Sequence, residues 1–402
     1  MTIFNFFQVM KIAFVGQKGI SSTSGGGVEN YVDHLAVRLA RRGHDVLAYT
    51  RSQYAPAGDY KGVKVIATKS IATKSLDAAT HTLLSIWHSF FIPDLDILHI
   101  NSVGPALFTI FARIGFGIKY LLSGKYTKVV FTFHSADWYH GKWNLIAKSM
   151  LKLGAWIGCN FADEVITVSK SLRYFASREF DVKTTYIPNG TDFNHITSDS
   201  ELVKFGLTKK GYIVFIARLV KHKNAHILIQ AYQQMAHKYG KKLVIVGTSS
   251  YTKDYEKYIH NLANGDKNII FTGHQSGRTL KQLFANASIY VLPSASEGLS
   301  ISLLEAGSYG IPIIVSDIRE NIEVVGDLAH IAKVNSVVSL KHQLENILGD
   351  YKGAIELAEM LQSEIKYHYA WNNIVTAVEN VYCRDSSQYR GAGIQVTTAL
   401  RY

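Results

Sequence analysis

Short apolar runs rich in β-branched and aromatic residues recur along this chain, and they alternate with longer stretches of helical spacing. The first set comprises KIAFV, DVLAYT, VKVIA, ILHI, VVFTFH, EVITVS and TTYIP. These runs are apolar without strict alternation, which is typical of parallel strands that are buried on both faces. Strands of this kind that alternate with helices predict a Rossmann-like α/β domain.

A second set of such runs follows a polar stretch at residues 189–211. It comprises YIVFIAR, KLVIVG, IIFTGH, IYVLPS and PIIVSD. The same reasoning predicts a second Rossmann-like domain, so that two doubly wound domains face each other across a ligand cleft. We therefore predict a first domain at 1–200, a second at 201–385 and a loose tail at 386–402.

Length, charge and cysteine content limit the class of protein. A chain of 402 residues with 47% hydrophobic content is long enough to bury two cores. The net charge of +12 favours anionic partners, which are phosphates, nucleic acid or an acidic membrane face. The basic residues are dispersed and no recognition motif is present, so nucleic acid is not expected. The two distant cysteines exclude a disulfide scaffold and fit a reducing cytoplasm.

The longest apolar stretch, at residues 103–122, is long enough to cross a bilayer. It carries Arg113 and Lys119 together with three glycines and a proline. A charge at the centre of a spanning helix costs about 2.5 to 3.5 kcal/mol, so we do not expect this stretch to span. The N-terminus lacks the basic region and the cleavage site of a signal peptide.

Two glutamates eight positions apart, Glu297 and Glu305, lie in the segment SASEGLSISLLEAGSYGIP. A strand, IYVLPS, precedes a stretch of helical spacing, so Glu297 and Gly298 are predicted on the turn where a helix begins. Glu305 would then lie about 12 Å along the axis, too far to act with Glu297 on one atom. The amides of Gly298, Leu299 and Ser300 would face an anion in the cleft. The alternative is a capping carboxylate and a solvated helical glutamate.

Two further segments supply groups suited to an anionic ligand. ARLVKHKN follows the first strand of the second domain and places Arg218 and Lys223 at the sheet edge where open α/β sheets bind ligands. Arginine and lysine suit two phosphates of unequal geometry. The loop that ends at Gly26 and Gly27 lets backbone amides approach a ligand. It has neither the Walker nor the GxGxxG spacing, and a flexible surface loop is the alternative.

These segments together resemble the retaining glycosyltransferases of family 4, which have two facing Rossmann-like domains (the GT-B fold) and use nucleotide-activated sugars. The resemblance rests on the Gly-rich loop before VENYVDHLAVRL, on ARLVKHKN, on YIPNGTDF and above all on SEGLSISLLEAGSYGIPIIVSD, and it covers residues 11–380. TKSLDAATHTLLSIWHSFF and FTFHSADWYHGKW are similar to the bacterial polysaccharide rhamnosyltransferase subgroup. That subgroup usually reads His-Gly-Leu-Asp-Trp where residues 134–138 read His-Ser-Ala-Asp-Trp.

The resemblance implies a role for each matching residue. Glu297 would hold hydroxyls of the donor sugar, Glu305 would bind the ribose, and Arg218 and Lys223 would hold the diphosphate with the amides of residues 298–300. The remaining implied positions are Gly26 and Gly27 closing over the donor, His134 touching the sugar, and the backbone of Thr272 to His274 reading the base. Tyr139, His140 and Trp143 are candidates for the acceptor side, with ordinary packing as the alternative.

The resemblance also implies the reaction, which is transfer of a sugar, rhamnose in the subgroup, from a nucleotide diphosphate sugar to a glycan or lipid-linked oligosaccharide. Neither a cofactor nor a metal is expected, and Asp94 and Asp96 are better explained by a strand-entry turn. The first domain would be the acceptor side and the second the nucleotide-sugar side. The net charge and the apolar-basic segment 103–128 predict a cytoplasmic protein peripheral at the inner membrane face, with a buried helix as the alternative. A nucleotide-sugar epimerase or a non-catalytic glycan-binding partner remain alternative functions.

Overall fold

The first domain is built on an eight-stranded sheet. The computed structural model describes residues 9–20, 26–71, 76–139, 143–235, 238–248 and 253–384. The strand order is β3-β4-β2-β1-β5-β6-β7-β8, and all pairs are parallel except β3 with β4. The strands are β1 (Lys11–Val15), β2 (Asp45–Arg51), β3 (Gly58–Tyr60), β4 (Val63–Thr68), β5 (Ile97–Asn101), β6 (Lys128–Phe133), β7 (Glu164–Thr167) and β8 (Thr185–Tyr186).

The second domain contains a six-stranded sheet of order β11-β10-β9-β12-β13-β14, in which every pair is parallel. Its strands are β9 (Tyr212–Ile216), β10 (Lys242–Val246), β11 (Ile269–Gly273), β12 (Ile289–Leu292), β13 (Ile313–Ser316) and β14 (His330–Ala332). The predicted fold class of two Rossmann-like domains is confirmed. β3 and β14 were not predicted, because each is only three residues long and neither forms an apolar run.

Helices cover both faces of each sheet. They are α1 (Gly27–Arg41), α2 (Leu76–Ser89), α3 (Val103–Ala106), α4 (Thr109–Ser123), α5 (Leu145–Phe161), α6 (Lys170–Phe180), α7 (Ala225–Gln233), α8 (Lys253–Ala263), α9 (Gly277–Ala285), α10 (Ile301–Ser308), α11 (Arg319–Val325), α12 (Val337–Gly349), α13 (Tyr351–His368) and α14 (Trp371–Cys383). One apolar cluster takes in buried residues of α2, α4, α5 and α6 on one face of the first sheet, and it continues into α10 of the second domain. A second cluster on the other face takes in α1 and α14.

The chain crosses between the domains twice. After β8 it passes into the second domain, and near residue 370 it returns, where the Thr191 amide donates to the Tyr369 carbonyl at 2.8 Å. Helix α14 then packs on the first sheet, and its Tyr382 hydroxyl lies 2.6 Å from Nδ1 of His99 in β5. The end of the predicted range 201–385 thus lies against the first domain. The sequence does not show this, because apolar spacing predicts a helix but not the sheet on which that helix packs. The predicted tail at 386–402 lies outside the described residues.

The apolar stretch at 103–122 forms α3 and most of α4. The Arg113 guanidinium in α4 pairs with the Asp163 carboxylate at 2.6 Å, and the Lys119 ammonium donates to the Ile92 carbonyl at 2.7 Å. In the described ranges no helix combines the length and the apolar character that a membrane crossing requires.

Candidate functional site

The core of the site is formed by the loops that follow β9 and β12. These strands are neighbours, with Ile213 paired to Ile289, so their carboxyl ends open at the same edge of the sheet. The Lys223 ammonium, in a 3-10 turn after β9, donates to the Glu297 carboxylate on the loop after β12. Their side chains are only 13% and 7% exposed. Two residues 74 positions apart, each selected from its own motif, therefore form one ion pair.

Further hydrogen bonds hold these two loops together. The Ala295 amide donates to the His222 carbonyl at 2.7 Å, and the Asn224 side-chain amide donates to the Pro293 carbonyl at 2.9 Å. Both bonds join the β9 loop to the β12 loop. The ammonium of Lys223 is therefore presented by a backbone that is fixed on both sides, as electrostatic preorganisation of a charged site requires.

Gly298 brings the second domain against the first. A Cβ at this position would lie 1.8 Å from the backbone oxygen of His134, so no residue with a side chain fits without displacing one of the two loops. The adjacent Leu299 carbonyl accepts a 2.9 Å hydrogen bond from the side-chain amide of Asn189, a first-domain residue. The glutamate segment therefore lies at the contact between the domains.

The helix of the glutamate segment begins later than the sequence suggests. Helix α10 starts at Ile301, and its N-cap is Ser300, whose hydroxyl accepts from the Leu303 amide at 3.4 Å. The predicted anion-binding amides of residues 298–300 therefore belong to the loop and the N-cap rather than to the first helical turn. The shift arises because Ser300 is a strong N-cap residue, whereas Gly298 is held by its contact with the first domain.

His134 follows β6 and is buried beneath this contact. Its Nε2 lies 3.0 Å from Oδ1 of Asn101, and the edge of the Tyr31 ring packs against it at 4.8 Å between centroids. Burial lowers the pKa of His134 to about 3, so the imidazole is neutral near neutral pH. An amide oxygen only accepts, so Nε2 carries the proton and Nδ1 is the acceptor nitrogen. Sequence motifs singled out His134 but not Asn101, which lies on the neighbouring strand β5.

Glu305 lies partly buried in α10, on the side facing the crossing between the domains. Burial, together with the negative charge of Asp192, raises the pKa of Glu305 to about 7, and the Lys281 ammonium opposes the shift. Asp192 is held by the Arg38 guanidinium at 2.5 Å, and its other oxygen lies 3.5 Å from Nδ1 of His34. The protonated and ionised forms of the Glu305 carboxyl are therefore both populated near neutral pH, and only the ionised form accepts hydrogen bonds from two ligand hydroxyls.

The other predicted cation, Arg218, has a different setting from Lys223. It is exposed after β9 and forms no ion pair with the residues that the structure describes. The Arg218 guanidinium adds an exposed positive charge to the loop after β9, the loop that also carries Lys223 of the buried Lys-Glu pair. Two cations on one loop suit the two negative groups of a diphosphate.

The first-domain glycines are only partly described. Gly26 is the N-cap of α1, and a Cβ there would lie 1.8 Å from the Glu29 carboxylate, whose other oxygen accepts from the Lys18 amide at 3.0 Å. Gly27 is exposed, and among the described residues no heavy atom outside its chain neighbours and its own helix backbone lies within 4 Å of the Cβ that a side chain would add. The rest of the Gly-rich loop, residues 21–25, lies outside the described residues, so closure of that loop over a donor stays a prediction.

The remaining predicted positions are more peripheral. His274 is exposed after β11, which is separated from β9 by β10, and it makes no hydrogen bond with another predicted site residue in the described part of the chain. Tyr139 is 65% exposed, and Trp143 is partly buried. His140 lies outside the described residues.

The expected strand-entry role of Asp96 is visible. Its carboxylate accepts from the Lys11 amide at 2.8 Å and pairs with the Lys125 ammonium at 2.7 Å. In the ranges that the structure covers, no three side chains of histidine, cysteine, aspartate or glutamate are grouped so that they could hold a metal ion.

Comparison with known families assigns the two halves of the chain. Residues 25–195 match the family described as Glycosyltransferase Family 4, and residues 199–367 match Glycosyl transferases group 1. The chain belongs to the two-domain glycosyltransferases of this type. The narrower rhamnosyltransferase subgroup finds no support among the matches, which include mannosyltransferases and glycogen synthases.

The individual relatives of this chain are distant in sequence. An uncharacterized glycosyltransferase of Methanocaldococcus jannaschii is 28% identical over 237 residues, covering 54% of this chain and 59% of that protein. The O-antigen chain mannosyltransferase B of Escherichia coli is 29% identical over 184 residues, covering 45% and 48%. The match thus spans about half the length of these two relatives.

Solved structures share the fold along nearly the whole chain. The sucrose-phosphate synthase of Thermosynechococcus elongatus superposes with a TM-score of 0.77 at 18% identity, covering 93% of this chain and 98% of that one. HepE of Anabaena, in complex with UDP and glucose, gives 0.72 at 18% identity, covering 92% and 99%. At such low identity these likenesses establish the GT-B fold and no more.

Proposed function

We propose that the protein transfers a sugar from a nucleotide diphosphate sugar to a glycan acceptor, with retention of anomeric configuration. The observation that carries the proposal is the Lys223-Glu297 pair at the meeting of the domains. Breaking the bond between sugar and diphosphate develops negative charge on the leaving oxygen and positive charge at the anomeric carbon. The ammonium of Lys223 and the guanidinium of Arg218 stabilise the developing negative charge, and the carboxylate of Glu297 binds hydroxyls of the sugar.

The ion pair suggests how the donor binds, which is by exchange of the partner of Lys223. In the ligand-free protein, Glu297 neutralises Lys223 and keeps both side chains satisfied in a largely buried setting. A diphosphate would take over the ammonium as its partner and free the carboxylate for sugar hydroxyls. The amides of residues 298–300 and the exposed guanidinium of Arg218 would complete the diphosphate site.

His134 and Glu305 would contact the two ends of the donor. His134, neutral and held by Asn101, presents an uncharged imidazole to the sugar from the first domain. Glu305 would bind the two ribose hydroxyls. HepE, of the same fold, binds UDP and glucose, which supports a nucleotide diphosphate sugar as donor here.

The proposed transferred sugar is rhamnose, on the sequence resemblance alone, and mannose is the competing candidate because a relative is an O-antigen chain mannosyltransferase. The proposed acceptor is a lipid-linked oligosaccharide, reached by a cytoplasmic protein at the inner membrane face. We propose that the reaction needs no cofactor and no metal, since Arg218 and Lys223 supply the cations.

A panel of thymidine-, uridine- and guanosine-diphosphate sugars tests the proposal. Ligand at 100 times its dissociation constant stabilises a protein by about 2.7 kcal/mol, which thermal melting detects. We expect one class of donor to raise the melting temperature and to give labelled product only when a lipid-linked acceptor mixture is added. Turnover of the donor to an isomer without acceptor would instead assign an epimerase, and glycan binding without turnover would assign a non-catalytic partner.

A further inference from the structure

Three helices of the first domain present a continuous apolar face to solvent. More than half of the exposed large apolar side chains in the described part of the chain lie on α2, α4 and α5 or just beyond α2. We name this surface the apolar face, and its members are Leu83, Leu84, Trp87, Phe91, Ile114, Ile118, Leu121, Leu122, Leu145, Ile146, Met150, Leu153 and Trp156. Exposed apolar patches of this extent mark interaction sites rather than ordinary surface.

The helices adjoin one another, so the apolar face is one surface. The Trp87 ring of α2 stacks on Phe111 of α4 at 6.4 Å between centroids, and α4 packs directly on α5. In α4 the exposed residues follow one helical stripe, from Ile114 at 60% exposed to Leu121 and Leu122 at 83% each. Their opposite stripe, which includes Phe116, is buried in the domain core, so these helices have apolar residues on both sides.

The charges of the same helices select the partner. Helices α4 and α5 contain Arg113, Lys119, Lys148 and Lys152 and no carboxylate of their own. Two of these cations have partners on adjoining segments, since Arg113 pairs with Asp163 and Lys152 pairs with Glu179 at 3.5 Å. The one carboxylate of α2, Asp77, is buried and paired with Arg51 at 2.5 Å. Apolar side chains flanked by cations complement the acyl region and the anionic headgroups of a bilayer.

A second copy of this chain fits the face less well. In a two-fold contact the same patch meets itself, so the cations of α4 and α5 would face like charges. Within one chain Asp163 pairs with Arg113 and Glu179 pairs with Lys152. Neither helix has a carboxylate of its own that could pair with Lys119 or Lys148 of the other copy. Charge complementarity therefore favours an anionic lipid surface over self-association.

We propose that the apolar face docks in the plane of an anionic phospholipid bilayer, with its leucine and isoleucine side chains below the headgroups and its lysines among them. This inference deepens the membrane-surface part of the proposed function and rests on it for its biological purpose. Helix α5 packs against the 3-10 turn Asp137–Tyr139, which begins three residues after His134. Docking would therefore hold the first-domain side of the cleft close to lipid-linked substrates.

The test is sedimentation with vesicles made of equal parts phosphatidylcholine and phosphatidylglycerol, at low salt. The first double variant combines Leu121→Glu with Leu122→Glu, and the second combines Lys148→Glu with Lys152→Glu. The matched control is Val338→Glu, at a residue of α12 that is 74% exposed. All five positions are surface positions, and circular dichroism checks that each variant is folded.

We expect the wild type and the Val338→Glu control to bind the vesicles, and each double variant to bind them at least about tenfold more weakly. Equal sedimentation of the wild type and the Leu121/Leu122 variant, or no binding by the wild type, would overturn the proposal. Light scattering supplies a second readout. A dimer that the leucine variant splits into monomers would also overturn it and assign the face to self-association.

The result for vesicle binding is independent of the result for the proposed sugar transfer. Sugar transfer to a water-soluble acceptor does not require the bilayer, so the face variants should retain it. Transfer without vesicle binding would remove this inference alone, whereas vesicle binding without any donor turnover would remove the proposed function alone.

Discussion

At the residue scale, the glutamate of α10 makes nucleotide binding dependent on pH. The folded pKa of Glu305, about 7, lies above its ordinary value because of burial. A carboxylate that accepts two ribose hydroxyls must be ionised, so nucleotide affinity should rise as the pH rises through about 7. Between about pH 6 and pH 8 the ionised fraction, and with it the affinity, changes on the order of tenfold.

Calorimetric titration with the intact nucleotide sugar measures this dependence, because its esterified diphosphate has no group that titrates near pH 7. Glu305→Gln should bind more weakly and lose the pH dependence, because an amide does not titrate. A wild type whose affinity is the same at both pH values, or a glutamine variant that keeps the dependence, would remove Glu305 from the ribose site. The linked effect on stability has the opposite sign, since a carboxyl with a raised pKa in the folded state stabilises the fold at acid pH and loses that contribution as the pH rises towards 7.

A second prediction at the residue scale concerns the substitution Gly298→Ala. Alanine at this position would force its Cβ against the His134 carbonyl, so the two domains would separate locally. Such overpacking typically costs about 1 to 3 kcal/mol. The rate of sugar transfer should fall steeply while the melting temperature falls only moderately, because the separation displaces Glu297 from the first domain.

The matched substitution is Gly349→Ala, at a position where a Cβ meets no heavy atom within 4 Å. It should leave both transfer and melting temperature close to those of the wild type. If Gly298→Ala transfers sugar at the wild-type rate, the close approach of the two loops has no part in function.

At the element scale, a buried carboxylate of helix α14 adds to the apolar packing that holds this helix on the first domain. Glu379 is fully buried and pairs with the Arg42 guanidinium and with Nε2 of His44 at 3.1 Å. Removing one member of a buried pair costs about 3 to 5 kcal/mol, and the lower end applies because Arg42 keeps partial access to water. We expect Glu379→Ala to lower the melting temperature clearly. Glu364→Ala is the control, since its pair with His368 is exposed, and equal melting temperatures for the two variants would contradict the role of α14.

The sequence predicted the elements that have strong apolar runs and missed those that depend on tertiary contacts. The long parallel strands were recognisable because burial on both faces leaves a continuous apolar signal, whereas β3 and β14 leave none. The sequence pattern predicts an earlier start for α10 than the structure has, because the helix begins after its cap at Ser300 while Gly298 is held in a loop by the other domain. The return of α14 to the first sheet could not be read from its spacing.

The site was predicted as separate motifs, and the structure supplies the pairings. Lys223 and Glu297 meet because β9 and β12 are neighbours in the sheet although β10 and β11 lie between them in sequence. Asn101 carried no motif of its own, and only the neighbouring strands β5 and β6 bring it to His134. Side chains whose function is to hold another side chain leave little trace in a single sequence.

At the scale of the whole molecule, two cations, Arg218 and Lys223, lie on the loop after β9 near the contact of two Rossmann-like domains, and the apolar face lies on the first of these domains. We propose that Arg218 and Lys223 stabilise the diphosphate leaving group. Loss of one preorganised charge from such a site costs about 3 kcal/mol in the barrier, on the order of a hundredfold in rate. Lys223→Ala also frees Glu297, so its donor affinity should fall as well.

The most direct measurement is the rate of transfer of a labelled sugar from the preferred donor to a saturating acceptor, for Arg218→Ala, Lys223→Ala and the surface control Arg173→Ala. We expect a loss of about a hundredfold in rate for the two site variants and an unchanged rate for the control. The melting temperature should stay near that of the wild type for Arg218→Ala and should fall for Lys223→Ala, because that change leaves the buried Glu297 carboxylate without its partner. Wild-type transfer rates in both site variants would contradict the proposed role of the two cations.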